Sequence, residues 1–468
     1  MDSKDAKRPS QPDELPPPEA AAASGSAPRA EHSFFRKLVG SLRRGRVSAR
    51  AAPRVQQVLS LCDALLSARG EVSGTSIVNE LLTRYRSLDS EERTAFFDRL
   101  AAEFAPRAAH VARFAEIYRD EPSQVNLLRL QRAVESSRPE LLRRINVAPE
   151  HMLALVQIRR DLLQNLEAHP EWCAIDADLL HLFRAWFNRA FLELRQIDWH
   201  TSAVVLEKLI EHEAVHQVQG WTDLRRRLQT DRRCYGFFHQ ALPDEPIIFI
   251  EAALTKGVSS RIQPLLDPMS PVFDARAANC AVFYSITNCQ EGLRGVSFGN
   301  LLIKQVAEHL RRELPHLRTF ATLSPIPGFR QWLVETASSN GHAALAQLVA
   351  DLDRPDWWRD ALSSTRLEAA LVPLSAYYLL NGTRGRQPLD AVARFHLGNG
   401  ARLERVNWLG DTSPSGLRRS YGLTANYVYD LSQVERNHEA YSREFKIAAS
   451  SRFRRLASRA PLGVLPLS

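Results

Sequence analysis

The sequence predicts an α+β protein: an N-terminal α-helical bundle followed by a mixed α/β half. Three observations carry that reading. From Pro53 to about Arg189, apolar residues recur every three or four positions with few alternating β-branched runs, the period of buried helix faces. From about Phe191 onward, strand-like runs alternate with helical ones, the pattern of a sheet covered by helices. At 468 residues the chain exceeds one ordinary core and calls for two or three domains.

The expected divisions are a tail over 1–52, a helical region over 53–190 and a catalytic region over 191–468. Residues 1 to about 32 are rich in Pro, Ala, Ser and Glu and lack the apolar side chains needed for a core. The basic amphipathic stretch from Ser33 to Arg46 is read as a loosely docked arm. In the helical region Val55, Val58, Leu59, Cys62, Leu65 and Leu66 share one face. Asp89 followed by Glu92, with Leu88 in front, reads as a capped helix start. Leu155, Ile158, Leu162 and Leu166 mark a further helix. No His, Cys or carboxylate grouping at metal spacing stands out here, so the region is read as a packing and self-association module.

In the second half, one or two helices are expected over 203–227. Cys234 to His239 and Ile247 to Leu254 then read as a hairpin, and Cys280 to Thr287 as another strand. A glycine-bearing turn leads to a helix with Leu301, Leu302, Val306 and Leu310. Leu317 to Leu323 is strand-like, Phe329, Trp332 and Leu333 begin a helix, and 342–385 is mainly helical. Residues 389–429 are expected to return to strands and turns.

Composition excludes several classes. Apolar content of 44% and charged content of 24% are those of a soluble globular protein, and no run of about 18 apolar residues exists to span a membrane. The net charge of +8 is arginine-rich but dispersed, without a nucleic-acid-binding module. Five cysteines without a CxxC pair fit a reducing compartment. The N-terminus lacks the apolar core of a secretory signal, and Asp2, Asp5, Asp13 and Glu14 speak against a mitochondrial presequence. The C-terminus carries no Ser-Lys-Leu address. A bacterial cytoplasmic protein is the expectation.

Three constellations could carry chemistry. Arg294 to Asn300 joins a strand to a helix, so main-chain N–H groups and the positive helix end face outward, as a pyrophosphate requires. Gly295 and Gly299 would let a ligand approach the backbone. The spacing matches neither G-x-G-x-x-G nor a P-loop, and the segment resembles the CoA-pyrophosphate loop of GNAT-type acyltransferases. Ser324, ahead of Pro325 and Pro327, reads either as the N-cap of the next helix or as a reactive hydroxyl. His396 is read as lying in a strand just before a Gly398-Asn399-Gly400 hairpin turn, as a structural residue or as an acid or base.

Asp198 to Ser202, Asp231 to Tyr235, Thr322 to Phe329, Phe395 to Ala401 and Gly422 to Tyr427 together resemble malonyl-CoA decarboxylases, in order and in spacing. The resemblance is strong over about 195–430 and looser in the helical half. It implies a GNAT-like α/β catalytic domain, with Ser324 and His396 as the catalytic residues. It also implies a CoA-binding loop of Arg294, Gly295, Val296, Ser297, Phe298, Gly299 and Asn300, with Ile303 on the following helical turn. Arg294 stands where a glutamine is common in animal members, and both chain ends depart from theirs. Further implications are malonyl-CoA as substrate, no metal or other cofactor, and assembly into dimers or tetramers.

The implied reaction needs hydrogen-bond donors at the thioester oxygen, where charge grows as CO2 leaves, and a proton for the carbon left behind. Imidazole titration near neutral pH makes His396 the expected donor of that proton. Asn426 and Tyr427 are read as structural neighbours. A nucleophilic serine hydrolase is disfavoured, because no G-x-S-x-G elbow surrounds Ser324. The rivals are an acyl-CoA-dependent acetyltransferase on the same fold and a non-catalytic CoA-binding scaffold.

Overall fold

The computed structural model describes residues 51–460 apart from 68, 297, 299–301 and 339–342. The tail over 1–50, and Ser297, Gly299 and Asn300 of the candidate loop, lie outside the described residues.

The first part is all helix: α1 (Ala51–Leu66), α2 (Arg69–Arg86), α3 (Ser90–Glu103), α4 (Ala108–Asp120), α5 (Gln124–Val134), α6 (Arg138–Ile145), α7 (Pro149–Asn165) and α8 (Cys173–Trp186). The apolar stripe of α1 is buried from Val55 to Leu65, with Leu66 at its margin. The start of α3 is a closed capping box: Glu92 N–H donates to Asp89 and Asp89 N–H donates back to Glu92, each at 2.9 Å. Leu155, Ile158 and Leu162 of α7 are buried. The α4–α5 hairpin differs. α4 buries no residue and α5 buries only Asn126, while Val125, Leu128 and Val134 are exposed.

The second part opens with β1 (Leu192–Ile197), α9 (Ala203–His212), α10 (Trp221–Arg227), β2 (Arg232–His239), β3 (Leu242–Thr255), α11 (Gln263–Leu266) and β4 (Cys280–Asn288). α12 (Leu302–Glu313), β5 (Thr319–Thr322), β6 (Ser324–Pro325), α13 (Phe329–Ser338), α14 (Ala343–Leu352) and α15 (Ala361–Asn381) follow. A two-strand ribbon of β7 (Thr383–Arg384) and β8 (Gln387–Pro388) precedes α16 (Ala391–Gly398), β9 (Arg402–Asn407), α17 (Pro414–Ser420), β10 (Thr424–Val428), α18 (Val434–Glu444) and α19 (Ser451–Ala457).

β1 to β4 form an antiparallel meander, and β4 then pairs in parallel with β5 through the α12 crossover. β10 lies antiparallel against β5 and β6 on one side and β9 on the other. The architecture is therefore α+β, and its strand–loop–helix–strand unit with antiparallel flanks matches the GNAT-like expectation. The anticipated β2–β3 hairpin is present, although its link is tighter than expected because β3 already begins at Leu242.

Two expectations are corrected. His396 lies on helix α16, not on a strand, and Gly398 to Gly400 closes that helix instead of turning a hairpin. Asp390 caps the helix by accepting the Ala393 N–H at 2.9 Å, and Ala393, His396 and Leu397 form its buried face. Gly400 has φ +81, and a Cβ there would meet the Val434 carbonyl oxygen at 2.0 Å. Ser324 is not a helix cap. It sits in β6 opposite Ala425, and α13 begins only at Phe329, after a turn in which the Phe329 N–H donates to the Ile326 carbonyl at 3.2 Å.

The helical part and the sheet share one apolar core. Their tightest junction is α7 against the turn after β4: a Cβ on Gly292 would lie 1.9 Å from the Val156 carbonyl oxygen.

Candidate active site

Ser324 and His396, distant in sequence, meet. Ser324 Oγ is 2.9 Å from His396 Nε2 and donates to Thr322 Oγ1 at 2.8 Å. The Tyr429 hydroxyl is 2.8 Å from His396 Nδ1. Since the serine proton is given to Thr322, the proton shared with the histidine is the Nε2–H, and Tyr429 donates to Nδ1. Thr322 Oγ1 is itself fixed by the Tyr427 N–H at 3.2 Å. The Tyr427 ring packs on the imidazole, with centroids 4.5 Å apart.

Burial sets the electrostatics. His396 is 3% exposed, and desolvation alone pushes its pKa down to about 3. The imidazole is neutral at physiological pH, which corrects the expectation of a ring titrating near neutrality.

The pair opens onto a cavity of about 230 Å³ bounded by Val215, Phe283, Ile286, Val392 and Phe395, with Asn288 and Tyr284 as further polar neighbours. No Lys, Arg, Asp or Glu lines it among the described residues. The site lies where β4 ends, at the opening of β6 and beside α16.

Past Asn288 the chain enters the candidate loop. Arg294 and Gly295 are exposed, and Gly295 has φ +82, a conformation that glycine adopts without strain. Val296, Phe298 and Ile303 are buried in the core, so only their main chain can face a ligand. Asn426 is structural, its amide spanning the Thr322 and Ser259 carbonyls. Asp231 is likewise structural, receiving the Arg226 guanidinium at 2.7 Å and 3.1 Å.

Sequence reasoning missed Arg159 of α7. Its Nη1 donates to the Gly292 carbonyl at 2.7 Å and the Arg294 carbonyl at 2.8 Å, while Nε donates to Asp176 at 2.8 Å. The signal was available: Arg159 interrupts the buried stripe of Leu155, Ile158 and Leu162, where a cation persists only if paired. Tyr429 and Thr322 were missed as well. A surface group of Asp98, His169 and Glu171 brings three possible ligand atoms within 4.8 Å in the helical part, with the His169 ring stacked on Trp172.

A buried, neutral serine–histidine pair at the end of a sheet, beside a strand–loop–helix turn, is a candidate site whose chemistry is hydrogen bonding and proton movement. Comparison with known proteins makes it specific. Residues 190–463 match the family model "Malonyl-CoA decarboxylase C-terminal domain" and residues 104–187 match "Malonyl-CoA decarboxylase N-terminal domain". The mitochondrial malonyl-CoA decarboxylase of Anser anser anser is 33% identical over 448 residues, covering 87% of this chain and 89% of the relative. The crystal structure of malonyl-CoA decarboxylase from Rhodopseudomonas palustris aligns with a TM-score of 0.83 at 47% identity, over 86% of this chain and 99% of that one. The enzyme from Agrobacterium vitis gives 0.80 at 45%, with the same coverage. The chain belongs to the malonyl-CoA decarboxylase family.

The geometry of His396 makes a pH prediction. A ¹⁵N-labelled sample followed by NMR from pH 8 to pH 5 should show no titration of the His396 ring nitrogens. The unfolded imidazole protonates near its ordinary 6.5 and the folded one near 3, so stability from this residue is complete above pH 6.5. It is lost progressively as pH falls from 6.5 towards 3. A ring nitrogen titrating with a midpoint near 6.5 in the folded protein contradicts the dry pocket.

Proposed function

We propose that the chain converts malonyl-CoA to acetyl-CoA and CO2 at the Ser324–His396 pair. The observation that carries this reading is a polar pair at the wall of a cavity without a charged residue among those described. A carboxylate brought into such a cavity loses its hydration without gaining a counter-ion, whereas neutral CO2 is unaffected, so the surroundings favour C–C cleavage. The electron pair left behind spreads onto the thioester oxygen as an enolate, and the Ser324 O–H, turned from Thr322 to the substrate while the His396 Nε2–H holds its oxygen, is the donor that meets the developing charge.

The enolate carbon is a stronger base than an alkoxide and takes the Ser324 proton. The His396 Nε2–H and Thr322 hydroxyl hold the resulting alkoxide until water reprotonates it. His396 thus acts as a neutral N–H donor, its tautomer set by Tyr429. The thioester is the electron sink, so no step calls for a metal or an organic cofactor.

In this reading Arg294 to Asn300, with Ile303 on the next turn, receives the CoA diphosphate on main-chain N–H groups and the exposed Arg294 guanidinium. Arg159, from the helical part, holds the near side of that loop by two carbonyls. Greater similarity to the bacterial enzymes than to the mitochondrial goose enzyme supports a bacterial cytoplasmic setting. The α4–α5 hairpin supports self-association into a dimer or tetramer, because its exposed Val125, Leu128 and Val134 find no cover among the described residues.

Purified protein incubated with malonyl-CoA alone should release CO2 and acetyl-CoA, and an added amine acceptor should leave the products unchanged. His396→Asn and Ser324→Ala should each lower kcat by roughly 10²-fold or more while retaining CoA binding. A melting curve accompanies the kinetics, since Ser324→Ala also removes a buried hydrogen bond worth about 1 kcal/mol. Turnover at the parental rate in both variants would falsify the assignment.

Arg159→Met should raise KM for malonyl-CoA about tenfold with kcat little changed, because two buried carbonyls lose their donor and the loop shifts. Equal KM in parent and variant, measured on protein of unchanged melting temperature, separates Arg159 from substrate binding. Light scattering should give a dimer or tetramer for the parent and a smaller species for Val125→Glu combined with Leu128→Glu. A parent that is monomeric at micromolar concentration removes the assembly role.

A further inference from the structure

A second concave site lies away from the Ser324–His396 cavity, between α18, the start of β9, the segment after α18 and α19. It encloses about 620 Å³ and is lined by the cations Arg402, Arg436, Lys446 and Arg454, together with Gln433 and Asn437. No Asp or Glu belongs to its lining among the described residues. Arg402 is partly neutralised by Glu404 at 3.0 Å, and Arg454 donates to the Ile447 carbonyl at 2.9 Å. Arg436 and Lys446 have no side-chain hydrogen bond or ion pair among the described residues, and Gln433 Oε1 is buried without a partner.

With Arg402 partly relieved by Glu404 at 3.0 Å and Asp430 at 3.7 Å, the positive charges of Arg436, Lys446 and Arg454 face one hollow that no carboxylate lines among the described residues. Its walls are nevertheless fixed. Leu403 N–H donates to the Ala448 carbonyl and Ser450 N–H to the Leu403 carbonyl, so the segment after α18 is bound to the sheet edge. Asn437 donates to the Gly400 carbonyl, tying α18 to the end of the helix that bears His396. On another face of α18, Glu435 pairs with Lys304 in the first turn of α12, the helix that follows the candidate CoA loop. The volume is that of a nucleotide-sized ligand, and arginines beside an amide are the groups that hold phosphate.

We propose that this cleft binds a nucleotide carrying more than one phosphate. The chemistry is shared by the phosphorylated adenosine end of coenzyme A and by a free nucleotide, and the experiment separates the two sources. Adenosine 3′,5′-bisphosphate and inorganic pyrophosphate are titrated calorimetrically into the full-length protein and into the variant combining Arg436→Glu with Lys446→Glu. Both positions are exposed, so the variant should melt like the parent.

The parent should bind the bisphosphate, more weakly as salt is raised, and the variant should lose affinity by about tenfold or more, as expected when solvent-accessible charge contacts are reversed. Repeating the titration with saturating CoA assigns the source. Loss of the signal means that the substrate's own nucleotide fills the cleft, and persistence means a separate nucleotide. Absence of binding by the parent, or equal binding by parent and variant, overturns the proposal. Because the readout is binding and not turnover, that failure leaves the decarboxylation reading intact.

Discussion

Asp390 is the residue through which Ser324 and His396 are registered to each other. One carboxylate oxygen caps α16 at the Ala393 N–H, and the other accepts the Gly328 N–H at 3.3 Å, four residues beyond Ser324. The helix that carries His396 and the extended chain that carries Ser324 therefore hang from one buried group. Burial pushes its pKa up, and the surrounding N–H donors oppose that shift. Gly328 suits the same arrangement: a Cβ there would stand 2.3 Å from the hydroxyl of Tyr378, on α15, and one of the two would have to shift. A 2.9 Å contact between Ser324 and His396 is thus the outcome of helix capping and backbone closeness, not of the two side chains alone.

Electrostatics divides the catalytic part into two environments. Around the pair, charge is excluded: the imidazole is neutral, its partners are hydroxyls, and aromatic and aliphatic side chains form the cavity wall. Ionic groups are instead gathered beneath the sheet. Arg227 joins Glu251 at 3.0 Å and Asp223 at 3.1 Å and also holds the His216 carbonyl, which steadies the loop that brings Val215 to the cavity. Glu213 receives the Val215 and His216 N–H groups of the same loop and the hydroxyl of Ser285 on β4. These ion pairs are better understood as fixing geometry than as sources of net stability, since desolvation offsets most of the attraction in buried pairs. What they give the site is a rigid wall with no free charge facing the substrate.

Much of this was legible in the sequence, in proportion to how local the cause was. The α1 stripe and the Asp89–Glu92 box follow from spacing within one helix, and both are present as read. Ser324 and His396 were identified through the resemblance of their segments, but their local structure was misread. Gly398 to Gly400 fits a hairpin and a helix C-terminus equally well, and the cap that decides the matter, Asp390, acts through burial. The neutrality of His396 depends on residues brought from β10 and the turn after it, which no local pattern reveals. The candidate CoA loop was legible as a strand–turn–helix junction with glycines, and through the resemblance of its segment.

Arg159 changes how the helical part should be understood. Its stripe resembles an assembly surface, and α4–α5 still presents one, yet α7 does other work. The Val156 carbonyl lies so close to Gly292 that no side chain fits between them, and the Arg159 guanidinium crosses the same junction to two loop carbonyls. Asp176 of α8 fixes the guanidinium from behind, so the support is a relay of α8, α7 and loop. A loop joining a strand to a helix would otherwise be free to choose among turn conformations, at a cost paid on every binding event. Backing it with α7 and α8 narrows that choice beforehand, across a junction where the helical part and the sheet share one core.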